Sequence, residues 1–217
     1  MIKAIFWDND GILVDTEKLY YKASKLTFAK IGIDLTDQMY VEFFLKQSHG
    51  IWHLAKELGY SDETISELRR ERNQLYGKLL ETEIEIIDGT ESVLKKLYGK
   101  VKMGIVTSSR KDHFEIIHKQ TDFLKYFDFI VTSEDVKNTK PDPEPYIKAL
   151  QLSGMKKEEC IIIEDSERGL RAAIAAGLKC YIIPTELTKN SDFTGAEGII
   201  NNVIGLLPII HRLIPVL

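Results

Sequence analysis

The chain has 217 residues, with 29 Lys and Arg against 33 Asp and Glu and a net charge of −4. Its apolar share of 44% and charged share of 29% are those of an ordinary globular protein, which excludes a disordered chain, and the length suits one large domain or a domain with an insert. With no long basic block to neutralise a phosphate backbone, the composition argues against nucleic acid as a partner.

The apolar run Ile2–Trp7 predicts a first buried strand, and Asp8-Asn9-Asp10-Gly11 follows it directly. Asp8 and Asp10 would share a side if the strand ran straight, and Gly11 lets the chain turn away at once. One carboxylate can attack while the other moves a proton, as covalent catalysis requires; an ordinary turn is the alternative. From Thr16 to about Ile86 the pattern is helical with no convincing strand. Ser61 is placed to cap a long charged helix whose apolar face is Leu68, Leu75, Leu79 and Leu80. These features predict a four-helix insert, closed by the Asp88-Gly89 turn and followed by a helix over Thr90–Leu97.

Four more apolar runs, Lys102–Thr107, Phe127–Thr132, Cys160–Glu164 and Lys179–Ile183, read as strands buried on both faces. Helical patterns over His113–Thr121, Glu144–Leu152 and Gly169–Ala176 separate them. Strand and helix in alternation predict an α/β fold, a doubly wound parallel sheet with a Rossmann-like core. The expected division is an α/β core of residues 1–15 and 87–217 and a helical cap of residues 16–86. Cys160 and Cys180 read as buried thiols of a reducing compartment. No signal peptide precedes the first strand, so the expected location is cytoplasmic. The apolar stretch from Val203 to Leu217 is shorter than the roughly 20 residues of a membrane span and is broken by Pro208, His211, Arg212 and Pro215. It is expected to be a final helix on the core, with a subunit contact as the alternative; no membrane partner is expected, and the protein is a monomer or a homodimer.

Polar clusters stand at the strand ends. Thr107-Ser108-Ser109 offers hydroxyls and backbone N–H groups for phosphate oxygens, or else caps the next helix. Lys140, in Lys140-Pro141-Asp142-Pro143, suits a fixed point charge facing phosphate, though alone it would be one more surface lysine. Glu164-Asp165 follows an apolar strand and offers hard oxygen ligands suited to Mg²⁺.

Taken in order, Asp-x-Asp-Gly, Thr107, Lys140-Pro141 and Glu164-Asp165 resemble the motifs of the haloacid dehalogenase superfamily. The stretch from Lys140 to Gly177 and the helical insert after the first motif are similar to its phosphatase and phosphomutase branch, which includes phosphoglycolate phosphatase and beta-phosphoglucomutase. The resemblance covers nearly the whole chain. It implies an Mg²⁺-dependent phosphatase of a small phosphate monoester, with Asp8 as nucleophile and Asp10 as general acid and then base. Thr107 and Lys140 would bind the phosphoryl group, with Ser108 and Ser109 beside them. Asp8, Asp165, the backbone carbonyl of Asp10 and, directly or through water, Glu164 would hold the metal. Relatives bring a cap loop onto the substrate, which here contains Lys46, Ser48 and His49. Arg110 and Lys111 either assist with phosphate or are ordinary first-turn charges. The second aspartate and the acidic pair argue against dehalogenation and phosphonate cleavage. A sugar phosphomutase is the first alternative, weakened because Tyr20-Tyr21 stands where mutases often have a His. A catalytically inactive binding module is the second.

Overall fold

The computed structural model describes residues 1–47 and 49–214. Strand β1 (Ala4–Trp7) is followed by two short strands, β2 (Val14–Asp15) and β3 (Glu85–Ile86), and then by β4 (Lys102–Val106) and β5 (Phe129–Val131). Strands β6 (Cys160–Glu164), β7 (Lys179–Ile182) and β8 (Gly198–Ile199) complete the set. Six of them form a parallel sheet in the order β5-β4-β1-β6-β7-β8. From β1 the chain moves outward to β4 and β5, then crosses back to β6. The crevice where this direction reverses, beyond the carboxyl ends of β1 and β6, is where open α/β sheets bind ligands.

Helices cover both faces, which is why these strands read as unbroken apolar runs. Ile5 and Trp7 of β1 face α5 (Thr90–Leu97), α6 (Lys111–His118) and α9 (Leu206–Leu213). Ala4 and Phe6 face α7 (Glu144–Ser153) and α8 (Glu167–Ala176). The expected C-terminal helix is α9, packed on the core through Leu206 and Ile210; residues 215–217 of that apolar stretch lie outside the described residues. Cys160 and Cys180 are buried free thiols.

The insert begins with α1 (Glu17–Ala29) and α2 (Asp37–Tyr40), which runs on as a wider π-helical turn over Val41–Lys46. Helices α3 (Trp52–Glu57) and α4 (Asp62–Glu83) follow. Ser61 caps α4 as expected, its hydroxyl accepting from the Thr64 N–H at 3.2 Å. An aromatic cluster holds the insert together, with Tyr40 stacked on Phe44 at 4.9 Å and Phe28 against Trp52 at 4.5 Å. Where the chain leaves and re-enters the core, Val14 and Asp15 pair antiparallel with Ile86 and Glu85. This ribbon corrects the expectation of no strand up to Ile86. Two residues per strand are too few to show a period of two. Helix α4 docks on core helix α6: His113 Nε2 donates to the Asn73 carbonyl at 3.1 Å, and the Gln120 amide donates to Leu80 O at 2.6 Å. No helix among the described residues is long and apolar enough to cross a membrane.

At the end of α6, buried His118 bridges two loops. One ring nitrogen lies 2.9 Å from Asn9 Oδ1 and the other 2.7 Å from the Thr121 hydroxyl. An Nε2–H tautomer satisfies both. Burial pushes the imidazole down to about 4, although Asp10 pulls the other way. The unfolded chain therefore takes up a proton below about pH 6.5 that the folded chain refuses until about pH 4. Stability from this group is complete above that window and is lost as pH falls through it, by about 3 kcal/mol. In urea denaturation series at pH 7 and pH 4.5, His118→Gln is expected to lose less stability on acidification than the unaltered chain. Equal pH slopes would contradict this role.

Candidate active site

Sheet hydrogen bonds carry the ladder past the strand ends and fix the site residues. Asp8 N–H donates to Ile163 O at 2.9 Å, and Thr107 N–H to Val131 O at 2.9 Å. The Asn9 carbonyl then accepts from Ile12, Leu13 and Val14, winding the loop back on itself. Gly11 sits in this turn at φ +83°, and a Cβ there would lie 2.4 Å from Asp165 Oδ2. Only glycine permits both the backbone conformation and this approach. Gly169 plays the same part on α8, where a Cβ would overlap the Glu164 carboxylate.

Lys140 is fully buried among these strand ends. Its ammonium donates to Asp8 Oδ1 at 2.9 Å, Glu164 Oε1 at 2.6 Å and Val106 O at 2.7 Å. Its charge also lies over the Tyr146 ring, 5.0 Å from the centroid. These carboxylates hold the lysine above its ordinary range against the pull of burial, so it stays charged. Glu164 is saturated. Oε1 also accepts from the Tyr146 hydroxyl at 2.9 Å, while Oε2 accepts from Asp165 N, Ser166 N and Ser166 Oγ at 3.0–3.2 Å. Burial opposes its ionisation, but Lys140 and these donors hold it below the usual glutamate range.

Asp8, Glu164 and Asp165 each offer a carboxylate oxygen within 4.8 Å of the others. Burial, followed by the charge on Glu164, pushes Asp8 up to about 7 although Lys140 pulls it down. Asp165 is raised well above its ordinary value, by burial first and then by Glu164 and Asp8. Asp10 is held differently. Its Oδ1 accepts from the Thr16 hydroxyl at 2.5 Å, and its Oδ2 from Thr107 Oγ1 at 3.0 Å and Ser109 Oγ at 2.7 Å. Three hydroxyls, one from Thr16 and two from the loop of Thr107 and Ser109, thus aim this carboxylate.

A cavity of about 180 Å³ opens above these groups. Asp8, Asp10, Ser108, Ser109, Arg110 and Lys140 line it from the core. Thr107, Glu164 and Asp165 stand behind that surface. The Ser108 hydroxyl is buried and makes no hydrogen bond among the described residues, so it is a donor available to a ligand. The core residues predicted from sequence therefore converge on one place. The cap residues do not: Lys46 pairs with Glu42 at 3.5 Å, His49 is exposed, and neither lines the cavity. Ser48 lies outside the described residues. Lys111 is also off the lining, its N–H bonded to Glu134 at 2.9 Å.

The cap lines the cavity instead with Glu17, Tyr20, Phe44, Arg72, Asn73 and Tyr76, which sequence reasoning missed. One signal was present. Arg72 falls on the buried stripe of α4 between Leu68 and Tyr76, where a charge needs a reason.

The sequence model for haloacid dehalogenase-like hydrolases matches residues 5–183. The chain belongs to this family. Protein CbbY of Rhodobacter capsulatus is 28% identical over 208 residues, covering 90% of this chain and 91% of the relative. A phosphorylated carbohydrates phosphatase of Thermotoga maritima is 29% identical over 183 residues, covering 82% and 83%. The crystal structure of CbbY from Rhodobacter sphaeroides in complex with phosphate superposes with a TM-score of 0.78 at 26% identity, covering 95% of this chain and 99% of that one. With the acidic cluster of Asp8, Glu164 and Asp165 in place, this member of the family is a hydrolase.

Removing the ammonium would leave two buried carboxylates without their shared cation. Lys140→Met is expected to destabilise the fold by about 3–5 kcal/mol, read from urea denaturation midpoints. An unchanged midpoint would show that the two acids do not depend on it.

Proposed function

We propose that the protein hydrolyses a small phosphate monoester through an aspartyl-phosphate on Asp8, with Mg²⁺ as cofactor and Asp10 as the proton carrier. The observation that carries this reading is the division between two neighbouring carboxylates. Asp8 is gripped by a buried lysine, and Asp10 is steered by three hydroxyls.

An Asp8 oxygen attacks phosphorus and the ester oxygen leaves. Asp10, two residues on and in the same cavity, gives that oxygen its proton. Asp10 then takes a proton from the water that attacks the aspartyl-phosphate, which releases inorganic phosphate, frees the Asp8 carboxylate and returns Asp10 to its protonated form. Charge in transfer is spread over the phosphoryl oxygens, so preorganised donors are needed there. The Ser108 hydroxyl and the backbone after Thr107 offer them. Lys140 offsets the repulsion between Asp8 and the incoming phosphate.

A divalent cation fits the residues present. The cluster gathers more negative charge than Lys140 neutralises, and this charge adds to burial in pushing Asp8 and Asp165 upward. Carboxylate oxygens suit Mg²⁺, which keeps waters and takes one or two carboxylates. Asp8 and Asp165 would hold it, with the Asp10 carbonyl; Glu164, both of its oxygens engaged, shapes the cluster and orients Lys140. Bound there, the ion would supply Lewis-acid neutralisation of the phosphoryl oxygens. The cap, residues 16–86, excludes water from the chemistry by closing on the β2–β3 ribbon. The cytoplasm is the proposed setting, in keeping with two buried thiols whose ionisation burial opposes.

With Mg²⁺ the protein is expected to release phosphate from a generic aryl phosphate, and a chelator or Asp8→Asn abolishes turnover. Asp10→Asn is expected to lower kcat/KM on alkyl phosphates by about 10²–10⁴-fold, and by less on aryl phosphates, whose leaving group needs no proton. Chelator-resistant turnover or an active Asp8→Asn would contradict the mechanism. Appearance of an isomerised sugar phosphate without free phosphate would favour the mutase.

A further inference from the structure

One buried polar contact belongs neither to the sheet ladder nor to the reaction steps. Asn9 stands between Asp8 and Asp10 and is fully buried. Strand alternation sends its side chain to the face opposite theirs: Asp8 turns to Lys140, whereas Asn9 turns to α6. That face is the apolar layer of Trp7, Ile12, Leu13 and Phe114. Within it, Asn9 Oδ1 accepts from His118 Nε2 at 2.9 Å, and His118 Nδ1 accepts from the Thr121 hydroxyl at 2.7 Å. The imidazole packs on Phe114, with 4.3 Å between ring centroids. Burying an imidazole and an amide carries a desolvation cost that two apolar side chains would avoid. Asn9 Nδ2 adds to it, with no hydrogen-bond partner among the described residues. What the polar pair supplies in return is direction, which a hydrogen bond fixes and an apolar contact does not.

Both ends of α6 meet the same three residues. The segment leading into the helix carries Thr107 and Ser109, whose hydroxyls donate to Asp10 Oδ2 at 3.0 and 2.7 Å. At its last residue, His118 holds Asn9 from the other face. The Asn9 carbonyl meanwhile accepts from Ile12, Leu13 and Val14, so the residue is anchored through main chain and side chain together. We infer that His118 is a positioning residue: through Asn9 it sets the direction in which Asp8 and Asp10 present their carboxylates to the phosphoryl group. This rests on the phosphatase reading of the core site.

The test compares His118→Met, which keeps bulk but has no donor, with His118→Gln, which keeps an N–H. Both are assayed at pH 7 with Mg²⁺ and an aryl phosphate, and the urea midpoint of each is measured alongside. In His118→Met, kcat is expected to fall on the order of 10–100-fold while KM moves by less than about twofold, because reacting groups are misdirected and binding is not lost. His118→Gln is expected to recover most of kcat. A merely structural role would lower the urea midpoints and leave kcat of the folded protein unchanged, which would overturn the inference. Equal losses of kcat in the two variants would overturn it as well. If His118→Met does not fold, Thr121→Val carries the same test, since it removes the hydroxyl that fixes the tautomer and leaves the ring in place. A fall in kcat at constant KM there upholds the inference, and an unchanged kcat overturns it. If the unaltered protein turns over no ester, the phosphatase reading fails on its own. Crystal structures of the unaltered protein and of the folded variant then decide the positioning: displaced Asp8 and Asp10 carboxylates uphold it, and superposable ones overturn it.

Discussion

A single ammonium shared by two buried carboxylates organises this protein. The Lys140 ammonium reaches three parts of the sheet: Asp8 after β1, Val106 in β4 and Glu164 in β6. Moving such charges out of water is expensive, and the cost is met only when every lone pair and proton is matched. Glu164 meets that condition in full, with five donors on its two oxygens. Asp8 and Asp165 do not. Burial first, and then the neighbouring carboxylates, raises both above their ordinary range.

The sheet makes this arrangement possible. Parallel strands deliver their carboxyl ends to one edge, so residues far apart in sequence meet there. Tight approach does the rest. Gly11 and Gly169 bring backbone against the carboxylates of Asp165 and Glu164, at distances where any side chain would collide. The cap then supplies a wall of different character. Its aromatic rings carry Arg72 above an acidic floor, so the cavity is polarised from core to cap.

Much of this was legible in the sequence because the core obeys local rules. Apolar runs of five or six residues, separated by helical patterns, place β1, β4, β5, β6 and β7 within two residues of their observed ends. The polar clusters were legible because they interrupt those runs abruptly. Lys140 was legible as a charge but not as the partner of Glu164, since contact across 24 residues leaves no periodic trace. For the same reason the sequence leaves open whether Glu164 meets a metal directly or through water, whereas in the structure both of its oxygens are engaged. The cap was legible only in outline. Its helices show their period, but which side chains face the core depends on how α4 docks on α6, through Asn73, His113, Leu80 and Gln120. That docking turns Arg72 and Tyr20 inward and leaves His49 at the surface.

The central claim is that Asp8 becomes covalently phosphorylated. The most direct measurement is the intact mass of Asp10→Asn after mixing with an aryl phosphate and Mg²⁺, followed by peptide mapping. Without Asp10 to activate water, the intermediate should accumulate and add about 80 Da, one phosphoryl group, to the peptide bearing Asp8. Steady phosphate release with no adduct at any time, or an adduct on another side chain, would contradict the account.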